Sequence, residues 1–163
     1  MKTKLFAAVA LSLAVSACGS AGAGGDDGGD GSGPIKIMQI APYESQLTSL
    51  PFMKTSAQAA VAEINAAGGV NGRQIELLTC NEKSDANEAL RCAQKASQEK
   101  VAAVVGSLTS FGPQVMPMLE KANIASIGAD AITPYDAKSP ASFLFDAGVP
   151  GYAAMPAIAV KNL

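Results

Sequence analysis

From residue 34 onward the chain alternates between two hydrophobic periods. IKIMQIA at 35–41 is a short apolar run with β-branched residues, which predicts a strand. The polar stretch 42–51 reads as a loop. Over 52–66, Met53, Ala57, Ala60, Val61 and Ile64 recur at helical spacing and predict a first helix with those side chains inward. Gly68 or Gly69 ends it, because glycine takes up the left-handed angles of a helix stop freely, and Asn71-Gly72 makes the next turn. A second strand is expected over 74–80. A second helix follows over 85–98, opened by the capping-box-like SDANE of 84–88 and buried through Ala86, Ala89, Leu90, Ala93 and Ala96. VAAVV at 101–105 is an uninterrupted apolar run, typical of a strand covered on both faces.

The second half continues the alternation. GSLTSFG at 106–112 is a loop leading into a third helix over 113–122. Pro117 lacks an N–H and crowds the carbonyl four residues back, so this helix either begins at Pro117 or is kinked there. A fourth strand is expected over 124–127, a loop over 128–140, a fifth strand over 142–147, and a small-residue helix over 151–163 with Pro156 in its first turns. This order predicts an α/β fold, a doubly wound parallel sheet in three α/β/α layers with right-handed crossovers. Ligands of such sheets collect beyond the carboxyl ends of the strands, near the switch in strand order. That rule nominates the loops 42–50, 107–112 and 128–133.

The first 34 residues change the picture of where the protein works. Lys2 and Lys4 give a positive start, 5–15 is an apolar run too short to span a bilayer, and Ser16-Ala17 supply small residues before a cut. Val15-Ser16-Ala17-Cys18 resembles a bacterial lipobox, in which Cys18 becomes the acylated first residue; the alternative is an ordinary secretory signal with Cys18 incidental. Residues 19–34, rich in Gly, Ser and Asp, cannot bury apolar surface and suit a flexible tether. A diacylated cysteine supplies the two chains that stable anchoring needs. The expected segments are therefore a leader at 1–17, an acylated Cys18 with its tether at 18–34, and an α/β body beyond, at the extracytoplasmic face of the membrane.

Charge and chemistry narrow the function by exclusion. The sequence holds 12 basic and 14 acidic residues; without Lys2 and Lys4 the balance is 12 − 2 = 10 against 14, a net of 10 − 14 = −4. That balance gives no support to a nucleic-acid surface. There is no histidine, the commonest general base and metal ligand, and no G-x-S-x-G or P-loop motif. No cofactor or metal is implied. With Cys18 assigned to lipid, Cys80 and Cys92 remain as a pair in an oxidising compartment and predict a structural disulfide. Closing so short a loop contributes about 2–3 kcal/mol. A redox or metal pair is the weaker alternative, since no C-x-x-C occurs.

Three stretches then resemble a known family. INAAGGVNGRQIEL from 64, SDANEALRCA from 84 and VAAVVGS from 101 are similar to the first lobe of the branched-chain-amino-acid-type substrate-binding proteins, type I periplasmic binding folds that feed ABC importers. The resemblance runs over most of 35–163, and the lipobox, tether and cysteine pair resemble lipoprotein members from high-GC Gram-positive bacteria. It implies a non-enzymatic, monomeric protein that clamps an amino acid or similar small polar molecule between two lobes and docks on ABC permease subunits. A ligand-sensing receptor of the same fold, or a lipid-anchored hydrolase, are the alternatives. In the family the first lobe holds a ligand carboxylate with a hydroxyl and backbone N–H groups. Carried over, the resemblance implies ligand contacts at Thr109 and Ser110, at Asp130, Ala131, Ile132 and Thr133, and near Ser49. Ser110 has a second reading, as a helix N-cap. Asp130 departs from the pattern, because an acidic side chain repels a carboxylate and favours an ammonium or another polar group. The resemblance also implies a second lobe beyond Leu163, so that the sequence reads as an N-terminal fragment: an incomplete first lobe at 35–148, then a crossover and the first helix of the second at 149–163.

Overall fold

In the computed structural model of the protein, residues 33–146 and 148–149 are described. The expected leader, Cys18, the tether up to residue 32 and the helix expected over 151–163 lie outside them. In chain order the elements are β1 (Ile35–Ala41), α1 (Pro51–Ala66), β2 (Ile75–Asn81), α2 (Ala86–Gln98), β3 (Ala103–Val105), α3 (Gly112–Lys121), β4 (Ala125–Ile127), α4 (Pro134–Lys138) and β5 (Ser142–Phe143). The strands form one parallel sheet in the order β2-β1-β3-β4-β5. β1 pairs along its whole length with β2, from Ile35 opposite Ile75 to Ala41 opposite Asn81, and on its other edge with β3. Strand order therefore reverses at β1, as the doubly wound reading requires.

Right-handed crossovers to opposite sides of β1 put α1 on one face of the sheet and α2 and α3 on the other. The core lies on the second face. Met38 and Ile40 of β1 and Val104 of β3 pack against Ala89, Cys92, Ala93 and Ala96 of α2 and Val115, Met116 and Leu119 of α3. Fully burying chains such as Met38, Ile40 and Leu119 stabilises the fold by about 1.5–3 kcal/mol each. The small residues on α2 let that helix lie close to the strands. Its start is fixed by Asp85, whose carboxylate accepts from the Asn87 and Glu88 amides at 2.9 Å.

The other face corrects an expectation. The stripe predicted on α1 is not buried: Met53, Ala57 and Val61 are half-covered, Ala60 is exposed, and Ile64 is 40% exposed. α1 rests chiefly on β2, and no helix of the described residues packs beside it as α3 packs beside α2.

Three further expectations shift. Helix α3 begins at Gly112 and carries Pro117 in its interior, so it does not start there; Pro117 and Pro113 are both exposed, and the Pro113 carbonyl left without a helical partner can meet water. The fifth strand is shorter than expected, because the chain leaves the sheet after Phe143 and turns Phe145 out to solvent; Ala147 lies outside the described residues. Inside the expected loop 128–140 sits α4, opened by Thr133, whose N–H and hydroxyl both donate to Asp136 Oδ2 at 2.7 and 2.8 Å.

The first of the stretches that carry the resemblance is a fastener. The Gly68 N–H donates to the Asn65 carbonyl and that of Gly69 to the Ile64 carbonyl, a Schellman stop with Gly68 at φ +103°. A Cβ on Gly69 would collide with the Arg73 carbonyl. Asn71 and Gly72, both at positive φ, turn the chain so that Val70 and Arg73 exchange backbone bonds. The Asn65 side chain then reaches across to β2, accepting from the Ile75 N–H at 2.7 Å and donating to the Ile75 carbonyl at 2.9 Å. One residue thereby locks the end of α1 to the first residue of β2. At the far end of β2, Cys80 is disulfide-bonded to Cys92 of α2, as expected, with the Cα atoms 5.6 Å apart.

Candidate functional site

The loops after β1, β3 and β4 meet beyond the carboxyl ends of the strands, and backbone bonds stitch them together. The Leu108 N–H donates to the Ile40 carbonyl at 3.0 Å, and the Ile40 N–H donates to Ser107 Oγ at 2.9 Å. Gly106 N–H reaches the Ile127 carbonyl at 2.9 Å, and Asp130 N–H reaches the Ser107 carbonyl at 3.2 Å. Gln39 donates from Nε2 to the Gly106 carbonyl and accepts from the Tyr43 hydroxyl, which also donates to the Gln39 carbonyl. Burial keeps that phenol protonated by pushing its pKa well up. The β3 loop is thus held from both sides.

Within that loop the side chains alternate. Ser107 and Thr109 are buried, and Ser110 is exposed. Thr109 Oγ1 accepts from the Phe111 N–H at 3.1 Å and donates to Glu82 Oε2 at 3.3 Å. The residue capping α3 is Phe111, and α3 has no side-chain cap, so Ser110 does not act as an N-cap. Among the described residues its hydroxyl has no hydrogen-bond partner.

The other expected contacts surround this point. Ser49 Oγ donates to the Tyr43 carbonyl at 3.0 Å, which ties the loop after β1 back on itself. Asp130 is exposed. Ala131 is fully buried, and its carbonyl accepts from the Val149 N–H at 2.8 Å. Ile132 and Thr133 are half-buried. Gly112 is the close approach that joins the second and third loops: a Cβ there would run into Thr133 Oγ1 and the Asp136 carboxyl, so the start of α3 sits directly on the start of α4.

A cavity of about 160 Å³ lies beside Ser110, with Leu47, Leu108 and Phe111 as apolar wall and Thr48 and Glu82 as polar groups. It is smaller than the ~300–1,000 Å³ of an enclosed small-molecule site. Three larger hollows lie elsewhere: one of 330 Å³ between α3 and α4, one of 290 Å³ beside β4 and β5, and one of 540 Å³ along α1 and the end of β2, which Tyr43 and Glu44 of the loop after β1 also line. Among the described residues no group of three or more Asp, Glu or Cys side chains converges to hold a metal ion.

Sequence reasoning reached Tyr43 and Ser107 only as members of the nominated loops, and missed Glu82 and Asp136. Asp136 alone left a signal, the Thr133-Pro134-Tyr135-Asp136 capping pattern. Glu82 is 2% exposed, an unusual place for a carboxylate. Burial raises its pKa above the ordinary value, the Thr109 hydroxyl and the Ser84 amide pull it back down, and the Asp85 charge raises it further.

Known proteins resemble the chain in sequence and in fold. The sequence model of the periplasmic binding protein family matches residues 34–160, well over half of the chain. The Leu/Ile/Val-binding protein homolog 1 of Brucella abortus is 32% identical over 110 residues, covering 68% of this chain and 27% of its own length. The Leu/Ile/Val-binding protein of Escherichia coli is 33% identical over 60 residues, 37% of this chain and 16% of that protein. Among solved structures, the branched-chain amino acid transporter substrate binding protein of Streptococcus pneumoniae, in complex with isoleucine, matches with a TM-score of 0.60 at 30% identity, over 68% of this chain and 33% of that one. A possible leucine/isoleucine/valine-binding protein from Rhodopirellula baltica shares the fold, with a TM-score of 0.67 at 17% identity, over 83% of this chain and 37% of that one. The chain spans about a sixth to a quarter of the length of the curated relatives and about a third of the solved ones.

Proposed function

The chain belongs to the periplasmic binding protein family, and from that premise we propose that it forms one wall of the ligand cleft in an extracytoplasmic solute-binding protein of an ABC importer. The ligand is an amino acid or a similar small polar molecule. The observation that carries this reading is the exposed Ser110 hydroxyl, without a partner among the described residues and standing just ahead of α3 where three loops meet. A ligand carboxylate suits that place, because the first N–H groups of a helix and its dipole favour an anion. In this reading Ser110 donates to the ligand directly. Thr109, Ala131 and Thr133 shape the wall, Ser49 sets the loop after β1, and Asp130 lies at the rim, where it favours ligands that also carry an ammonium or another donor. Anchoring through Cys18, docking on permease subunits and function as a monomer belong to the same proposal.

Calorimetry and thermal-shift measurements on the full-length binding protein, its cleft complete, with a panel of L-amino acids and small amides test it. Saturable heat, a raised melting temperature with at least one amino acid, and a loss of affinity in Ser110→Ala of about tenfold are expected, the worth of one hydrogen bond to a charged group. No heat and no shift across the panel would overturn the reading.

A further inference from the structure

Glu82 has no part in the contacts just proposed, yet it is the most deeply buried carboxylate beside them, at 2% exposure. Its backbone is anchored at both ends: its N–H donates to the Ala41 carbonyl at 3.2 Å, and its carbonyl accepts from the Asp85 N–H at 2.9 Å. The side chain therefore extends from a fixed point across the edge of the sheet to the β3 loop. There it meets the hydroxyl of Thr109, which in turn holds the Phe111 N–H. Ser110 lies between those two residues. A chain of two hydrogen bonds thus runs from a buried acid, through Thr109, to the amide at the start of α3, straddling the exposed serine.

The surroundings make this acid unusual. The side chain's partner from the β3 loop is the neutral Thr109 hydroxyl, and the residues from other segments that line the hollow with it, Pro42, Leu47, Thr48, Leu108, Ser110 and Phe111, carry no charge. On its own segment the Ser84 amide donates to it and Asp85 adds a like charge. Lys83, the neighbouring cation, pairs instead with Glu88 at 3.5 Å. A carboxylate in such a place without a counter-ion is costly for folding. Its Oε2 is the acceptor for the Thr109 hydroxyl, so that cost goes to holding the β3 loop.

We propose that Glu82 is a positioning residue for the ligand wall: acting through Thr109 it sets Ser110 and the first turn of α3, and it ties ligand affinity to the protonation of this one buried acid. This rests on the reading that the Ser110 loop contacts ligand. The ionised carboxylate is the stronger acceptor, so affinity is expected to weaken as pH falls through the Glu82 midpoint.

Two measurements on the full chain test the proposal separately. In the first, NMR follows the Glu82 side-chain carboxyl and the amides of Thr109, Ser110 and Phe111 during a pH titration without ligand. The three amides are expected to share the Glu82 midpoint, above the ordinary glutamate value, and to lose that titration in Glu82→Gln and in Thr109→Val. Amides that titrate independently of Glu82, or that follow it unchanged in Thr109→Val, overturn the coupling. The second is calorimetry with L-leucine or whichever panel amino acid binds the wild type. Glu82→Ala is expected to weaken binding about tenfold. Glu82→Gln, a neutral acceptor like the protonated acid, should bind more tightly than Glu82→Ala but hold the wild type's low-pH affinity at every pH, without the pH step; Thr109→Ser should keep the pH step and Thr109→Val lose it. Affinity unchanged in a folded Glu82→Ala, or a pH step surviving in Glu82→Gln, overturns the positioning role. If no amino acid binds the wild type, it is the solute-binding reading that fails, and the amide titration still decides whether Glu82 governs the loop.

Discussion

Reducing the Cys80–Cys92 bond tests the account of how β2 and α2 are held together. The two residues are 12 apart in sequence. The chain-entropy relation gives about 9.5 cal/mol/K for a loop of that length, or roughly 2.8 kcal/mol at 25 °C. Reduction leaves both sulfur atoms in place, so the packing of Cys92, which is 1% exposed, is nearly unchanged. Reduction thereby isolates the loop term from the cavity that a Cys92→Ala substitution would add. At the ~3–5 °C per kcal/mol appropriate to a domain of this size, the melting temperature should fall by about 10 °C. The assay is urea unfolding of oxidised and reduced protein side by side, read by circular dichroism. The denaturant slope should rise on reduction, because the freed chain exposes more surface when unfolded. Stabilities within ~0.5 kcal/mol of each other, with equal slopes, would refute the reasoning.

Three other outcomes follow from particular contacts. Asn65→Ala removes both bonds to the Ile75 backbone and should cost about 1–3 kcal/mol in urea unfolding, with Asn65→Asp, which keeps an acceptor but loses the amide donor, falling between it and wild type. Gly112→Ala forces a methyl group against Thr133 and Asp136, and should destabilise by about 1–3 kcal/mol in the same assay and weaken ligand binding measured by calorimetry. Glu82→Gln should raise stability at neutral pH. The folded state holds the Glu82 proton more tightly than the unfolded one, so the wild type is fully stabilised below the ordinary glutamate pKa and loses stability as pH rises through the elevated folded value. The gap between variant and wild type should therefore open across that window and stay open above it; unfolding midpoints that show no such opening would refute the sign.

Much of the fold is legible in the hydrophobic pattern, because each period reports a local requirement. The strand at 35–41 and the second helix with Ala89, Ala93 and Ala96 inward follow from spacing alone. The stripe on α1 reads just as clearly and yet is not buried, since periodicity shows which side of a helix is apolar and says nothing of what covers it. The short helix at Pro134–Lys138 escapes because five residues are too few to establish a period. At the site, the loops could be placed by the strand-end rule, but the division of labour within 107–110 could not. Whether a serine or threonine faces in or out of a loop depends on partners far away in sequence, and Thr109 meets Glu82 across 27 residues.

The fastener built from Asn65, Gly68, Gly69, Asn71 and Gly72 has a consequence for how such a protein can diversify. It grips β2 at its first residue, and the strand runs seven residues, about 20 Å, before it reaches the end where ligand is proposed to bind. This fastener and the loops proposed to select a molecule thus lie at opposite ends of the strands. The hydrogen-bonded length of β1 and β2 separates substitutions in one from the other. A change in the loops proposed to hold ligand can therefore leave the fastener, and the fold it secures, intact.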